Sequence, residues 1–184
     1  MNIDTANPGE TTITPADQTP PSITFIQPAT TTYTHDTMLP ISVTFSDGTG
    51  VASSSVSFDN MATAASSTID LFFQPLGSHT ITASSTDFVN NATTSVKTIQ
   101  VVATATSAIN DVNRAFTLAW IKSKDAKNVL VASLTAAAKL KKQNDRIVAY
   151  KVMLVALQVA KGAGVLTLQG YQLLAADIGW LISH

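Results

Sequence analysis

Two different spacings of apolar residues divide the chain. Between residues 22 and 102 apolar and polar positions alternate in short runs: Ile41, Val43 and Phe45 fall on one face, Ser42 and Thr44 on the other, and Val56/Phe58 and Ile81/Ala83 repeat the pattern. A two-residue period is that of a half-buried strand. Strands are therefore predicted at Ile23–Ile26, Ile41–Phe45, Ser55–Phe58, Ile69–Phe73, His79–Ser84 and Ser95–Val102. Pro28, Pro40, Asp47-Gly48, Asp59-Asn60, Pro75 with Gly77, and Asn90-Asn91 punctuate them. Thr and Val are stiff at χ1, so even this hydroxyl-rich segment favours extended backbone. Strands at this spacing predict a Greek-key β-sandwich.

From Ser107 the period lengthens to about 3.6 residues, that of a helix. A first helix, capped by Ser107, presents Ile109, Val112, Phe116 and Trp120, with Asp111 near its positive end. A second, over 125–142, aligns Leu130, Val131, Leu134, Ala137 and Ala138 and ends on lysines. A third, over 146–161, is apolar nearly all round apart from Lys151 and Gln158, which predicts a place in the middle of a bundle. Asn144-Asp145 can cap it and Gly162–Gly164 ends it. Thr167 caps a fourth, whose stripe runs through Tyr171, Leu174, Ala175, Ile178, Leu181 and Ile182. The expected fold class is multidomain, all-β then all-α: a Thr/Pro-rich tether over 1–21, a β-sandwich over 22–103 and a four-helix bundle over 104–184.

Charge sharpens the division. Residues 1–96 hold eight of the twelve acidic side chains and none of the eleven basic ones, about −8, whereas residues 97–184 carry about +7. Cysteine is absent, which excludes disulfides, a thiolate nucleophile and cysteine-ligated zinc. The longest apolar run, Ile147–Ala160, spans about 14 residues and is interrupted by Lys151 and Gln158. That is short of the ~18 apolar residues of a membrane span. Met1–Glu10 has neither the basic nor the apolar region of a signal peptide, so an exported chain is expected to be a fragment or the tail of a longer protein.

Candidate chemistry is sparse. Asp17, Asp47 and Asp87 fall at loop positions where hard oxygen ligands can converge on calcium, the one cofactor the chain suggests; turn building is the alternative use of the same residues. His35, His79 and His184 are scattered, and His79 reads as a partly exposed strand residue. Glu10 is the sole glutamate, so a paired-carboxylate hydrolase would need aspartates alone. No phosphate-binding glycine pattern or nucleophile elbow is present, and no catalytic residue is expected. Lys122, Lys124, Lys127, Lys139, Lys141, Lys142 and Arg146 form a candidate basic face. It reads as solvated charge, as a docking surface for the acidic β half or an anionic envelope polymer, or, last, as a nucleic-acid site that the acidic half would oppose.

Asp17-Gln18-Thr19-Pro20-Pro21, Leu39-Pro40-Ile41-Ser42-Val43, Asp47-Gly48-Thr49-Gly50-Val51, and Leu76-Gly77-Ser78-His79-Thr80-Ile81-Thr82 leading to Asp87 and Asn91, occur in an order that resembles the Ig-like repeats of bacterial secreted and cell-surface proteins. The common Asp-x-x-Gly-Asn turn is altered to carry Asn90 in place of glycine, and Asn tolerates positive φ. Trp120-Ile121-Lys122-Ser123, Asn128–Leu134, Ala137–Leu140, Leu166–Gln169 and Leu173–Ile182 similarly resemble the FIMAH-like helical domain found near the C-termini of secreted bacterial enzymes and surface proteins. The resemblances imply a non-catalytic extracellular spacer or attachment tail. A module binding a glycan or a surface protein through loops Thr30–Asp36 and Asp87–Asn91, or the accessory tail of a hydrolase whose catalytic domain lies elsewhere, are the alternatives. Tyr33, Phe72, Phe73 and Phe88 discriminate: two or more in one solvent-facing plane would make a carbohydrate platform.

Overall fold

The computed structural model describes residues 16–184. Only the last part of the expected tether falls within them, and Glu10 lies outside. The chain forms two β-sheets and four α-helices in the order β1 (Ser22–Gln27), β2 (Thr32–Thr34), β3 (Met38–Ser46), β4 (Val51–Phe58), β5 (Met61–Thr63), β6 (Ser66–Asp70), a 3-10 turn (Leu71–Phe73), β7 (Gly77–Asp87), β8 (Ala92–Val102), α1 (Ala105–Thr117), α2 (Lys124–Lys139), α3 (Gln143–Gly162) and α4 (Leu168–Ser183). One sheet has the order β1-β3-β6 and the other β2-β8-β7-β4-β5. All pairings are antiparallel except β2 with β8.

The alternation read from sequence sets the β core. Leu39, Ile41 and Val43 of β3 meet Val56 and Phe58 of β4, Ile81 and Ala83 of β7, and Ile99 and Val101 of β8 in one buried cluster drawn from both sheets. Pro40, expected between strands, lies inside β3 opposite Thr68, whereas other turn residues do what their chemistry suits. Asp59 and Asn60 join β4 to β5 at φ 47° and 67°, and Asn90 takes φ 71° in the β7–β8 turn. β2 and β5 were not foreseen; at three residues each they are too short to show a period. The predicted fourth strand stops at Asp70, whose carboxylate accepts the Phe72 N–H and turns Leu71–Phe73 into the 3-10 helix.

The helices depart from expectation in instructive places. α1 begins two residues before Ser107: Thr104 is the cap, and Ser107 is its reciprocal partner in a capping box. Trp120 lies beyond α1 rather than on it, following Ala119 at φ 58°. α2 starts from the Ser123 cap and stops at Lys139, before Lys141 and Lys142. α3 begins at Gln143 with no side-chain cap, so Asn144-Asp145 sits in its first turn. α3 is also not central. It buries only Tyr150, Met153 and Leu157, while Val148, Val152, Val155 and Val159 are 60%, 64%, 66% and 66% exposed. Its apolar perimeter reflects a stripe of exposed valines at spacings of four, three and four residues, not burial on all sides.

A backbone bridge between Ile121 and Leu166 ties the segment after α1 to the α3–α4 connection, with Lys122 N donating to Val165 O at 2.9 Å and Thr167 N to Trp120 O at 2.9 Å. Gly170 at the start of α4 makes this approach possible: a Cβ there would come within 3.1 Å of the Trp120 Cβ and carbonyl oxygen. Trp120 is thereby held against the 3-10 turn of the β half. Phe72 from that turn, 1% exposed, belongs to the helical cluster of Val112, Ala115, Ile121, Leu134, Leu157 and Leu174. The two halves thus share a hydrophobic core through one aromatic ring.

Candidate functional site

Polar and aromatic side-chain pairs cross from the β half to the helical half. The Phe72 and Trp120 rings stack at 5.5 Å with an interplanar angle of 26°. Arg114 of α1 makes a two-pronged contact with Asp70, Nη1 donating to Oδ1 at 2.8 Å and Nη2 to Oδ2, and its guanidinium lies 4.3 Å from the Phe72 ring centroid. Asn110 Nδ2 donates to Asp36 Oδ2 at 2.7 Å. His35 enters the helical half between α1 and α4.

His35 follows β2 and is fixed by its own backbone, whose N–H donates to Val102 O at 3.0 Å. Its ring is buried, with Nε2 2.9 Å from Gln74 O and Nδ1 2.7 Å from Asp177 Oδ1 and 3.5 Å from Asp111 Oδ2. A carbonyl oxygen only accepts, so Nε2 carries a hydrogen and Nδ1 faces the carboxylates. Both aspartates are fully buried, and among the described residues neither Asp111 oxygen nor Asp177 Oδ2 has a hydrogen-bond partner. Burial works against a charged imidazole here, but the bonds and charges of Asp111 and Asp177 outweigh it and raise its pKa to about 10. Burial pushes the Asp177 carboxyl up from the usual carboxylate range.

None of this cluster was foreseen: Asp111 was expected as a helix-dipole partner and the histidines as unconnected. A signal was nevertheless available. Asp111 lies in phase with Ala108, Val112 and Ala115 on the buried face of α1, and Asp177 lies in phase with Gly170, Leu174 and Ile178 on that of α4. A carboxylate on the apolar stripe of two helices needs a buried partner. His79, expected to be partly exposed, is 2% exposed, stacked on Phe58 at 5.2 Å, with Nε2 2.8 Å from Pro75 O and Nδ1 2.5 Å from Asp59 Oδ2. His184 is exposed and stacks on Trp180 at 4.0 Å.

Asp17, Asp47 and Asp87 do come together, at the far end of the sheets, each offering an oxygen within 4.8 Å of the others. Their hydrogen bonds build the loops. Asp47 Oδ1 accepts the Thr49 and Gly50 N–H groups at 2.8 and 3.1 Å, and Asp87 Oδ1 accepts those of Val89 and Asn91, both at 2.8 Å. Asn91 Nδ2 donates to Asp87 Oδ2 at 2.7 Å and to Asp17 O at 3.0 Å, fastening the incoming segment. The Thr49 hydroxyl, placed between Asp17 and Asp47 at 2.7 Å from each, holds the Asp17 carboxyl below its ordinary range. Loop construction accounts for the convergence, and no ion is assigned to it.

The seven basic residues fall into two groups along the helices. Lys122, Lys124 and Lys127 lie at the start of α2, and Lys139, Lys141, Lys142 and Arg146 at its far end and the start of α3, roughly 22 Å away at ~1.5 Å per helical residue. None of the seven forms an ion pair among the described residues. The guanidinium that meets the acidic half is Arg114, which carried no expectation.

The discriminating aromatics do not share one solvent-facing plane: Phe72 and Phe73 meet edge-on at 5.1 Å, and Tyr33 is partly buried against the β core. Phe72 is buried, Phe73 lies edge-on to Trp120 at 6.1 Å, and Phe88 is 70% exposed beside Gly50. Phe73 and Phe88 flank opposite ends of β7, whose 11 residues span roughly 35 Å at ~3.3 Å each. The loops Thr30–Asp36 and Asp87–Asn91 lie at opposite ends of β8 for the same reason, since β2 pairs with Gln100–Val102. No protein-family model, curated protein or solved structure matches the chain.

Proposed function

We propose that this chain is a non-catalytic extracellular spacer and attachment module, an Ig-like Greek-key sandwich coupled stiffly to a four-helix bundle. The observation that carries the reading is the junction: Phe72 completes the helical core while Asp70–Arg114, Asp36–Asn110 and His35–Asp177 surround it. A junction combining a shared hydrophobic core with charge-assisted bonds resists hinge motion, which is the property a spacer needs. The wide separation of Phe73 from Phe88 supports spacing over a carbohydrate platform.

Attachment is supported by charge. Lys122, Lys124, Lys139, Lys141 and Lys142, at the two ends of α2, are exposed and form no ion pairs among the described residues, leaving them free for an anionic envelope polymer. Co-sedimentation of the full chain with isolated bacterial envelopes across a salt series tests this. Saturable binding that weakens with salt is expected; binding no greater than that of an inert control overturns attachment and leaves spacing alone.

A further inference from the structure

We propose that His35, Asp111 and Asp177 form a buried binding site for a first-row divalent transition metal of the zinc class, which clamps the β half to α1 and α4. The site is argued from donor chemistry. Gln74 O fixes hydrogen on Nε2, so the neutral ring would turn its Nδ1 lone pair toward two carboxylates. Three electron-rich groups within 4.8 Å of one another require something positive among them.

A proton on Nδ1 meets that requirement only in part. It serves Asp177 Oδ1 at 2.7 Å and leaves both Asp111 oxygens and Asp177 Oδ2 unpartnered, on side chains that are fully buried. One imidazolium facing two carboxylates also leaves a net negative charge in the interior, where unpaired charge is costly. A divalent ion exactly cancels two carboxylates when the imidazole is neutral. It also uses the orphaned oxygens: His35 Nδ1, both oxygens of Asp111 and one of Asp177 supply the four donors of a closed structural site.

The surroundings fit as well. A ligating imidazole characteristically gives its other N–H to a backbone carbonyl, which is the Nε2–Gln74 contact. A nitrogen donor among carboxylates favours a zinc-class ion over calcium or magnesium, which take oxygen alone. A cavity of about 330 Å³ lined by His35, Phe72, Gln74 and Trp120 reaches one member of the cluster, His35. This site is separate from Asp17, Asp47 and Asp87, whose loop hydrogen bonds occupy both Asp87 oxygens.

The test uses the full chain, stripped with a chelator and titrated with Zn²⁺ by calorimetry and with Co²⁺ by visible absorption. One tightly bound equivalent is expected, with Co²⁺ giving the absorption of a low-coordinate nitrogen and oxygen site, and Zn²⁺ raising the unfolding temperature of the stripped chain. Asp111→Asn, which preserves shape, should lose the equivalent and the temperature shift, whereas Asp47→Asn should keep both. Weak or non-stoichiometric binding to the unaltered chain overturns the site, as does equal binding by Asp111→Asn; the cluster is then held by protons alone. If Asp111→Asn fails to fold, Asp177→Asn replaces it in the same comparison, and retention of the equivalent by that variant overturns the site. Envelope binding is independent of this result.

Discussion

Arg114 of α1 grips Asp70 at the end of β6 through both terminal nitrogens while its guanidinium covers the face of Phe72. One side chain therefore joins the two halves by charge, by hydrogen bonding and by contact with the ring that enters the helical core. The pair is partly open, with side-chain exposures of 34% and 22%, so its contribution is screened.

Arg114→Ala is expected to destabilise the chain by about 1–2 kcal/mol, less than a fully buried charged hydrogen bond would. Arg114→Lys should recover less than half, because an ammonium cannot make the planar two-pronged contact or lie flat on Phe72. Chemical denaturation of both variants measures this; full recovery by lysine would show that charge alone matters.

The same pair sets an acid dependence. The bond and charge of Arg114 hold the Asp70 carboxyl below its ordinary 3.8. A carboxylate with a depressed folded pKa adds stability that is fully present above the unfolded value and is lost as pH falls through the folded one. The gap in stability between the unaltered chain and Asp70→Asn should therefore be constant near neutrality and close as pH drops below 3.8. A gap that persists unchanged through the acid range would contradict the ion pair.

Phe72→Ala removes a fully buried ring from the helical cluster and its stacking partner from Trp120, so a loss of about 3–5 kcal/mol is expected. Phe73→Ala, at a ring 54% exposed, should cost much less. Near-equal losses in thermal unfolding would mean that Phe72 does not anchor the junction.

The valine stripe of α3 gives a test within one helix. Val152→Thr and Val155→Thr, at exposed positions, should each change stability by no more than about 0.5 kcal/mol. Leu157→Ala, at a fully buried position, should cost about 2–5 kcal/mol. Comparable costs would mean that α3 is buried on all sides.

What was legible in the sequence is what period and punctuation encode. The alternation at Ile41/Val43/Phe45 places β3 in the core in the right phase, Thr167 caps α4 as expected, and Asp17, Asp47 and Asp87 meet as their loop positions suggested. Short pairings such as β2 and β5 carry no period and were missed. The junction was missed for another reason: its partners are far apart in sequence, His35 and Asp177 by 142 residues, and only packing brings them together. Composition offered the lysines, after plain solvated charge, as cations for docking on the acidic half, whereas geometry brings Arg114 to it, whose helix faces the 3-10 turn. α3 misled because an apolar perimeter was equated with burial, although soluble proteins expose considerable apolar surface.

The junction predicts that the two halves move as one body, and the absence of cysteine makes this directly measurable. Ser54→Cys on β4 and Gln158→Cys on α3, both exposed, place one spin label in each half, and pulsed electron resonance reads the distance between them. A single narrow distance distribution is predicted, broadened when Arg114→Ala is added. A broad or multiple distribution in the otherwise unaltered chain would contradict the account, because the halves would then be hinged rather than joined.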